Sequence, residues 1–318
     1  MPLSSLTGSA TGCTSITSIS VEEAYSTLSA SCVVECNSTT LSIGDEVTTV
    51  ILGTTVHYGY CKRIERMWPE CKVAVTVNDP MIRAIDYFMA SDDPEVPFQR
   101  NNIGTLQLIK DLLSEAGLTL VTGSDKPFTW GTNPDGARFN LQSVADAVNF
   151  IVQMVGDTIY YDRTTGYITV ADRKPYPDGD TPAGTWTTGA SGNIVSVHYS
   201  ESSDKIRNRI VVYGKTPIRA EASASNPYLV VDQTAAIAHE LIDTQTIADG
   251  AASVNLALLN RLERKAEVDL IGDPAIAARQ VYTIQEPSFI GLNEDAFAYK
   301  VSHTLTDSGY TVSVTATM

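Results

Sequence analysis

All five cysteines of this 318-residue chain, Cys13, Cys32, Cys36, Cys61 and Cys71, fall within its first 71 residues. Their crowding is the first hint of chemistry. Cys32, Cys36, Cys61 and Cys71 are candidates for a metal or iron–sulfur site, because such centres are built on thiolates. Their spacing matches no standard zinc or ferredoxin pattern. If residues 32–36 form a strand, Cys32 and Cys36 face one side about 13 Å apart at ~3.3 Å per residue, too far to bridge each other. An odd count cannot pair fully within one chain, and no basic n-region or apolar h-region opens the sequence, so disulfides are not indicated. Buried reduced thiols acting as small hydrophobes are the expected role. No cofactor is expected.

The other reactive side chains are scattered. His57, His198, His239 and His303 are each isolated. His239-Glu240-Leu241-Ile242-Asp243 fails the metalloprotease pattern because Asp243 cannot supply the second imidazole. His303 is expected on a strand in a polar or core role. A nucleophile elbow, a phosphate loop and a dinucleotide fingerprint are all missing. Glu22-Glu23, Asp92-Asp93 and Glu294-Asp295 are adjacent carboxylates, but glycosidic chemistry needs two carboxylates held ~5–10 Å apart across a cleft. Neighbours in sequence read instead as solvated faces. Trp68, Trp130 and Trp186 sit in loop-like contexts, where surface packing or a partner contact is expected. An enzyme is not expected.

Thirty-seven acidic and 22 basic residues give a formal charge of −15, which argues against holding duplex DNA by phosphate neutralisation. A wall past which DNA slides should be acidic or neutral, although a general solubilising charge explains the same number. The hydrophobic share of 43% supports a folded core. No apolar run of about 18 residues is present, so no transmembrane segment is expected.

The elements that would position these residues are mainly strands. Residues 1–18, rich in Ser, Thr and Gly, read as a mobile arm. Strand patterns follow at 27–36, 47–52 and 57–66. At Asn78-Asp79-Pro80 the period changes, with Asp79 as N-cap and Pro80 at the first helical position. Amphipathic helices are expected over 105–116 and 141–155, then a hairpin joining 158–162 to 166–170. Residues 171–192 read as a linker and 215–226 as an exposed loop. A long helix is expected over 246–264, with Ile247, Ala251, Val254, Leu258 and Leu262 on its inner face.

One strand cassette occurs twice. The first copy has Gly44-Asp45, an alternating segment at 57–66, and Val73-Ala74-Val75-Thr76-Val77. The second has Gly272-Asp273, a segment at 297–304, and a Val/Thr run at 311–315. Aromatics two apart mark both middle segments: Tyr58 and Tyr60, then Phe297 and Tyr299. The copies predict an α+β, mainly β chain: residues 1–78 a first barrel with an N-terminal arm, 79–192 an inserted α/β domain and linker, and 193–318 a second barrel with a long helix. The longer span from Gly272-Asp273 to its aromatic strand marks a loop with a role the first barrel lacks.

The run Ile206-Arg207-Asn208-Arg209-Ile210-Val211-Val212-Tyr213-Gly214-Lys215 supports a resemblance, as do Leu258-Leu259-Asn260-Arg261-Leu262-Glu263-Arg264 and Gly272-Asp273-Pro274. So does the terminal segment 299–314. In this order they resemble tail-hub or baseplate-hub proteins of tailed bacteriophages, related to hubs of contractile injection systems and type VI secretion spikes. Gly44-Asp45-Glu46-Val47 and Tyr58-Gly59-Tyr60 fit the first barrel of such hubs. The resemblance implies two tail-tube-like barrels per chain and a homotrimer whose six barrels match a sixfold tube above and a threefold spike or central fibre below. It also implies a place in the virion tail after assembly in the host cytoplasm. The implied partners are the tail tube or distal tail protein, the spike or fibre, and the tape-measure protein, with DNA passing through the channel without specific binding. Two other readings stand beside it: a particle-displayed glycan or receptor binder using Trp130-Gly131-Thr132-Asn133 and Trp186, and a tail-associated peptidoglycan hydrolase.

Overall fold

The computed structural model describes residues 7–90, 98–132, 136–288 and 290–318. Asp92, Asp93 and Asn133 lie outside the described residues, as do residues 1–6. Strands form where every second residue is apolar. In Ser31–Thr39, Cys32, Val34 and Cys36 are buried while Ser31, Val33 and Glu35 are half-exposed, the period of two that a sheet with one packed face requires.

A 12-stranded sheet dominates the molecule, and it contains the cassette twice. Its N-terminal part runs, in hydrogen-bonded order, Gly8–Ala10, Glu46–Ile51, Thr54–Met67, Lys72–Asn78, Ser31–Thr39, Cys13–Ala24. Its C-terminal part runs Gly184–Thr187, Val281–Glu286, Leu292–Thr306, Gly309–Thr317, Glu263–Ile271, Ile194–Ser202. Numbered along the chain within each part, both orders read 1-4-5-6-3-2. The first strand differs in direction, antiparallel to its neighbour in the first copy and parallel in the second.

Register extends the match to single residues. Both long strands carry an irregularity at one corresponding point, with Lys62 between the paired Cys61 and Arg63, and Tyr299 between the paired Ala298 and Lys300. Across the ladder, Ile19, Val34, Val75 and Ile64 form a row that corresponds to Val197, Val268, Val314 and Val301. Gly44-Asp45 and Gly272-Asp273 therefore occupy one connection, between the third and fourth strands. The aromatics match at only one position: Tyr60 corresponds to Phe297, while Tyr299 corresponds to Lys62.

The two copies are spliced edge to edge. Cys13–Ala24 pairs antiparallel with the C-terminal half of Leu292–Thr306, from Ile19 opposite Leu305 to Ala24 opposite Lys300. Val281–Glu286 holds the N-terminal half of that long strand. The strands form one continuous sheet, and no closed barrel is found among the described residues. Its apolar face gathers residues of both copies, including Val34, Val75, Val268 and Val314, into one core.

Between the copies lies a block with its own core. It contains the helices α1 (Ile82–Asp86), α2 (Thr105–Glu115) and α3 (Val144–Val155). Ser143 Oγ caps α3 by accepting the Asp146 N–H at 3.0 Å, and Gly156 ends it with φ 75°, a left-handed conformation that glycine adopts without strain. The expected hairpin is present as Asp157–Asp162 against Tyr167–Asp172. The fourth helix, α4 (Gln245–Leu259), comes from within the second copy, yet Ile247, Ala248, Ala251 and Ala252 join the core of this middle block. Ile210, Val212 and Ala220, from a small sheet ahead of α4, join it too.

Several sequence expectations change. Residues 8–18, read as a mobile arm, lie largely in the strands Gly8–Ala10 and Cys13–Ala24, because their Ser and Thr alternate with Ala10, Ile16 and Ile19, which face the core. The linker at 171–192 contains the strand Gly184–Thr187. The loop at 215–226 contains Arg219–Ser223, paired with Arg209–Tyr213. The long helix ends at Leu259, and Leu262 lies outside it.

Candidate functional site

The candidate cysteines are not brought together. Cys32, Cys36 and Cys61 are buried, while Cys71 is exposed in the turn after Thr54–Met67. Register gives the reason. Cys32, Cys36 and Cys61 stand where the second copy has Ala266, Leu270 and Ala298, all core hydrocarbons. The Cys32 thiol lies 3.5 Å from Thr49 Oγ1, and burial pushes it up to about 12. Cys13 rests against Cys36 and is pushed up to about 11, first by burial and then by that neighbour. Thiols this far above neutrality are poor ligands. No group of three or more His, Cys, Asp or Glu able to hold a metal occurs among the described residues.

The histidines are occupied structurally. His303 Nε2–H donates to the Ile276 carbonyl at 2.9 Å, so Nδ1 accepts from the Tyr310 hydroxyl at 2.7 Å. Burial holds it neutral, down to about 4. His57, also buried, is lowered to about 4 by burial and by Arg163. His239 Nδ1 accepts the Leu241 N–H, and its ring lies 3.8 Å from that of Phe150. His198 is exposed on the polar face of the sheet.

The two carboxylate pairs among the described residues are split by strand alternation. Glu22 meets Lys300 at 2.8 Å, while Glu23 points to the other face and meets Arg279 at 2.5 Å. Glu294 meets Arg264 at 2.7 Å, while Asp295 accepts from Thr283 Oγ1. Neither pair is aimed into a shared cleft. Trp130 and Trp186 are buried, contrary to the surface role expected of them. Trp130 Nε1 donates to Thr105 Oγ1 at 3.0 Å, and Trp186 stacks on Tyr282 at 4.3 Å. Flanking Gly and Thr made both segments look like loops. Trp68 alone is exposed, at 85%.

The remaining polar features lie on the sheet face and behind the splice. The solvent face of the sheet is hydrophilic and of mixed charge. On it, Asp269 accepts from Ser196 and Ser313 at 2.6 and 2.7 Å, bonds that lower its pKa. A shallow groove of about 360 Å³ there is lined by Ser196, His198, Glu267, Asp269, Lys300 and Ser302, among others. Behind the splice, Glu23 links three parts of the chain. It binds Arg279 of the second copy and lies 3.9 Å from Arg163 of the middle hairpin. Arg279 also donates to the Ala24 carbonyl and sits 4.4 Å over Tyr160, and Arg163 donates to the Val56 carbonyl at 2.6 Å. Sequence reading missed this node because its members are up to 256 residues apart.

A repeated strand unit spliced to itself and bridged by an inserted block is a distinctive plan. The family model described as YQBQ-like matches it across residues 17–317. The chain belongs to the YQBQ-like family. Its fold is shared with solved tail proteins at low identity. A tail protein from Neisseria meningitidis MC58 is similar with a TM-score of 0.73 and 12% identity, covering 98% of this chain and 96% of that one. The 43 kDa tail protein of prophage MuSo2 from Shewanella oneidensis gives 0.69 and 15%, covering 98% and 97%. The E. coli c3393 protein, a component of the type VI secretion system, gives 0.61 and 10%, covering 98% and 76%. These likenesses show that the YQBQ-like chain shares a mainly β fold with phage tail proteins and a type VI secretion component. No match was found among curated proteins. No helix among the described residues is long and apolar enough to cross a membrane.

Proposed function

We propose that this YQBQ-like protein is a structural hub of a phage-type tail. Three chains form a ring at the distal end of the tail tube, and the two strand units of each chain act as two tube-like lobes. The observation that carries this reading is the identical strand order of the two copies and their edge-to-edge splice. A chain that already joins one unit to its equivalent holds the contact a ring repeats. Three such chains present six similar units, which fits a sixfold tube on one side and a threefold spike or central fibre on the other.

In this reading the first unit ends at residue 78 and the inserted block begins at 79, while the second unit takes the strand Gly184–Thr187 together with 193–318 and lends its excursion at 203–262 to the inserted block. The hydrophilic sheet face supports a role as the channel wall. Its Ser and Thr residues are interspersed with carboxylates and a few bases, so it offers DNA or a tape-measure protein no run of cations to bind. The reading needs no active-site chemistry. Burial of Trp130 and Trp186 leaves the glycan-binding reading without its platform.

Subunit stoichiometry tests the proposal. Quantitative mass spectrometry of purified particles is expected to give three copies per tail, and six or more would overturn it. A zymogram of the purified chain on peptidoglycan is expected to show no clearing.

A further inference from the structure

Among the strand edges left unpaired in the described residues, two are the equivalents of edges that the splice already uses. Ile194–Ser202 pairs only with Glu263–Ile271, leaving its outer edge open. Its counterpart in the first copy, Cys13–Ala24, uses that same edge to join Leu292–Thr306. The long strand Thr54–Met67 receives Glu46–Ile51 along 54–60 only, so the same side of 63–67 is open. The counterpart of 63–67 is 300–304, the stretch that receives Cys13–Ala24.

We propose that the 194–202 edge of one subunit pairs antiparallel with the 63–67 edge of a second copy of this chain. The register places Ser202 opposite Arg63, Ser200 opposite Glu65 and His198 opposite Met67. It is the register of the internal splice, in which Ala24, Glu22 and Ser20 face Lys300, Ser302 and Thr304. The proposal rests on the hub reading above and names the contact that closes its ring. A contact between two different edges repeats head to tail, and it closes where the rotation allows.

The side chains on the two edges suit each other. Segment 62–67 reads Lys-Arg-Ile-Glu-Arg-Met, a charged edge of the kind that discourages indiscriminate strand pairing. In this register Tyr199 lies opposite Arg66, and Glu201, now 3.4 Å from Arg264, lies diagonal to Arg66. Trp68, 85% exposed, and Val195, 67% exposed, flank the junction and lose water on pairing. The internal splice has Leu305 where this edge has Trp68, and Leu305 is buried.

The test is disulfide capture in assembled tails, with Cys71→Ser removing the exposed native thiol. Glu65→Cys combined with Ser200→Cys places two cysteines directly opposite each other, within disulfide reach. Oxidation is expected to give covalent dimers and trimers on non-reducing gels. Met67→Cys combined with Ser200→Cys shifts the pair to a diagonal of about 7–8 Å, where the cross-link is lost. A threefold ring in images of these tails without the in-register cross-link would overturn the junction and leave the hub reading standing. Absence of a threefold ring would overturn both. If the substituted chains do not enter tails, amide exchange on wild-type protein decides: segments 63–67 and 194–202 are expected to gain protection on assembly, and unchanged exchange in both would overturn the junction.

Discussion

Glu23 and Glu201 hold equivalent places on the second strands of the two copies, yet their surroundings differ. Glu23 is enclosed where the copies meet and binds two arginines from distant parts of the chain, whereas Glu201 stands on the open edge with its side chain 49% exposed. The facing strand shows the same contrast. His303, buried at the splice, corresponds to Arg66, exposed on the free edge. One geometry is thus present as a finished interface and as an open one, so differences in residue type mark which contacts form within a chain. A second contrast lies in the connections. The first copy links its second and third strands by residues 25–30, while the second copy makes an excursion at 203–262 that packs α4 against α3. That excursion fixes the inserted block to the second copy, so the two units meet different neighbours.

The sharpest way to break the comparison is to remove the enclosed member. Glu23→Ala leaves Arg279 buried without its partner and is expected to cost about 3–5 kcal/mol, read as a large fall in the urea midpoint. A loss below about 1 kcal/mol would place Glu23 among ordinary surface pairs. Next come the matched core positions. Leu270→Ala should cost about 2–5 kcal/mol, Cys36→Ala about 1 kcal/mol, and Cys61→Ala close to nothing, since the second copy has alanine there. Equal losses at Leu270 and Cys36 would argue against equivalent packing.

A third test uses pH. His57 and His303 stay neutral when folded, down to about 4, but titrate near 6.5 when unfolded, so their contribution to stability is lost as pH falls from 6.5 through 4. Asp79, raised to about 6 chiefly by burial, acts oppositely, because the folded state takes up its proton first between about 6 and 3.8. Asp79→Asn should therefore steepen the acid loss of stability, and His303→Gln should flatten it. Unchanged pH slopes would contradict these assignments. The smallest effect is expected at Glu201→Ala, within about 1 kcal/mol for the isolated chain.

The repeat was legible because its markers are local. Gly44-Asp45 and Gly272-Asp273 share a connection, and Val73-Ala74-Val75-Thr76-Val77 superposes in register on Val312-Ser313-Val314-Thr315-Ala316. The helices α2 and α3 and the hairpin were legible from their periods, whereas α1 starts after Met81 and not at Pro80 as expected. What escaped was long-range. The splice pairs residues 19–24 with 300–305, and nothing in either segment announces the other. The inner face of α4 was assigned in part: Ile247 and Ala251 are buried as expected, but Ala248 and Ala252, whose hydrophobic signals are weak, complete it in place of Val254 and Leu258, and small side chains allow close approach to α3. Tyr299 seemed to match Tyr60 until the irregularity at Lys62 and Tyr299 set the register. Of the candidate site, Cys32 and Cys36 lie on one face of one strand as expected, whereas Cys71 falls in a turn and Cys61 lies two strands away; the open edges were invisible without the pairing order.

In the proposed hub, one chain supplies two equivalent units to a ring. Electron cryomicroscopy of the tail end tests it most directly. Three chains forming six lobes are expected, with the first and second copies of each chain related by a rotation of about 60° around the tail axis. A ring of six chains, or a second copy stacked above or below the first, would contradict it.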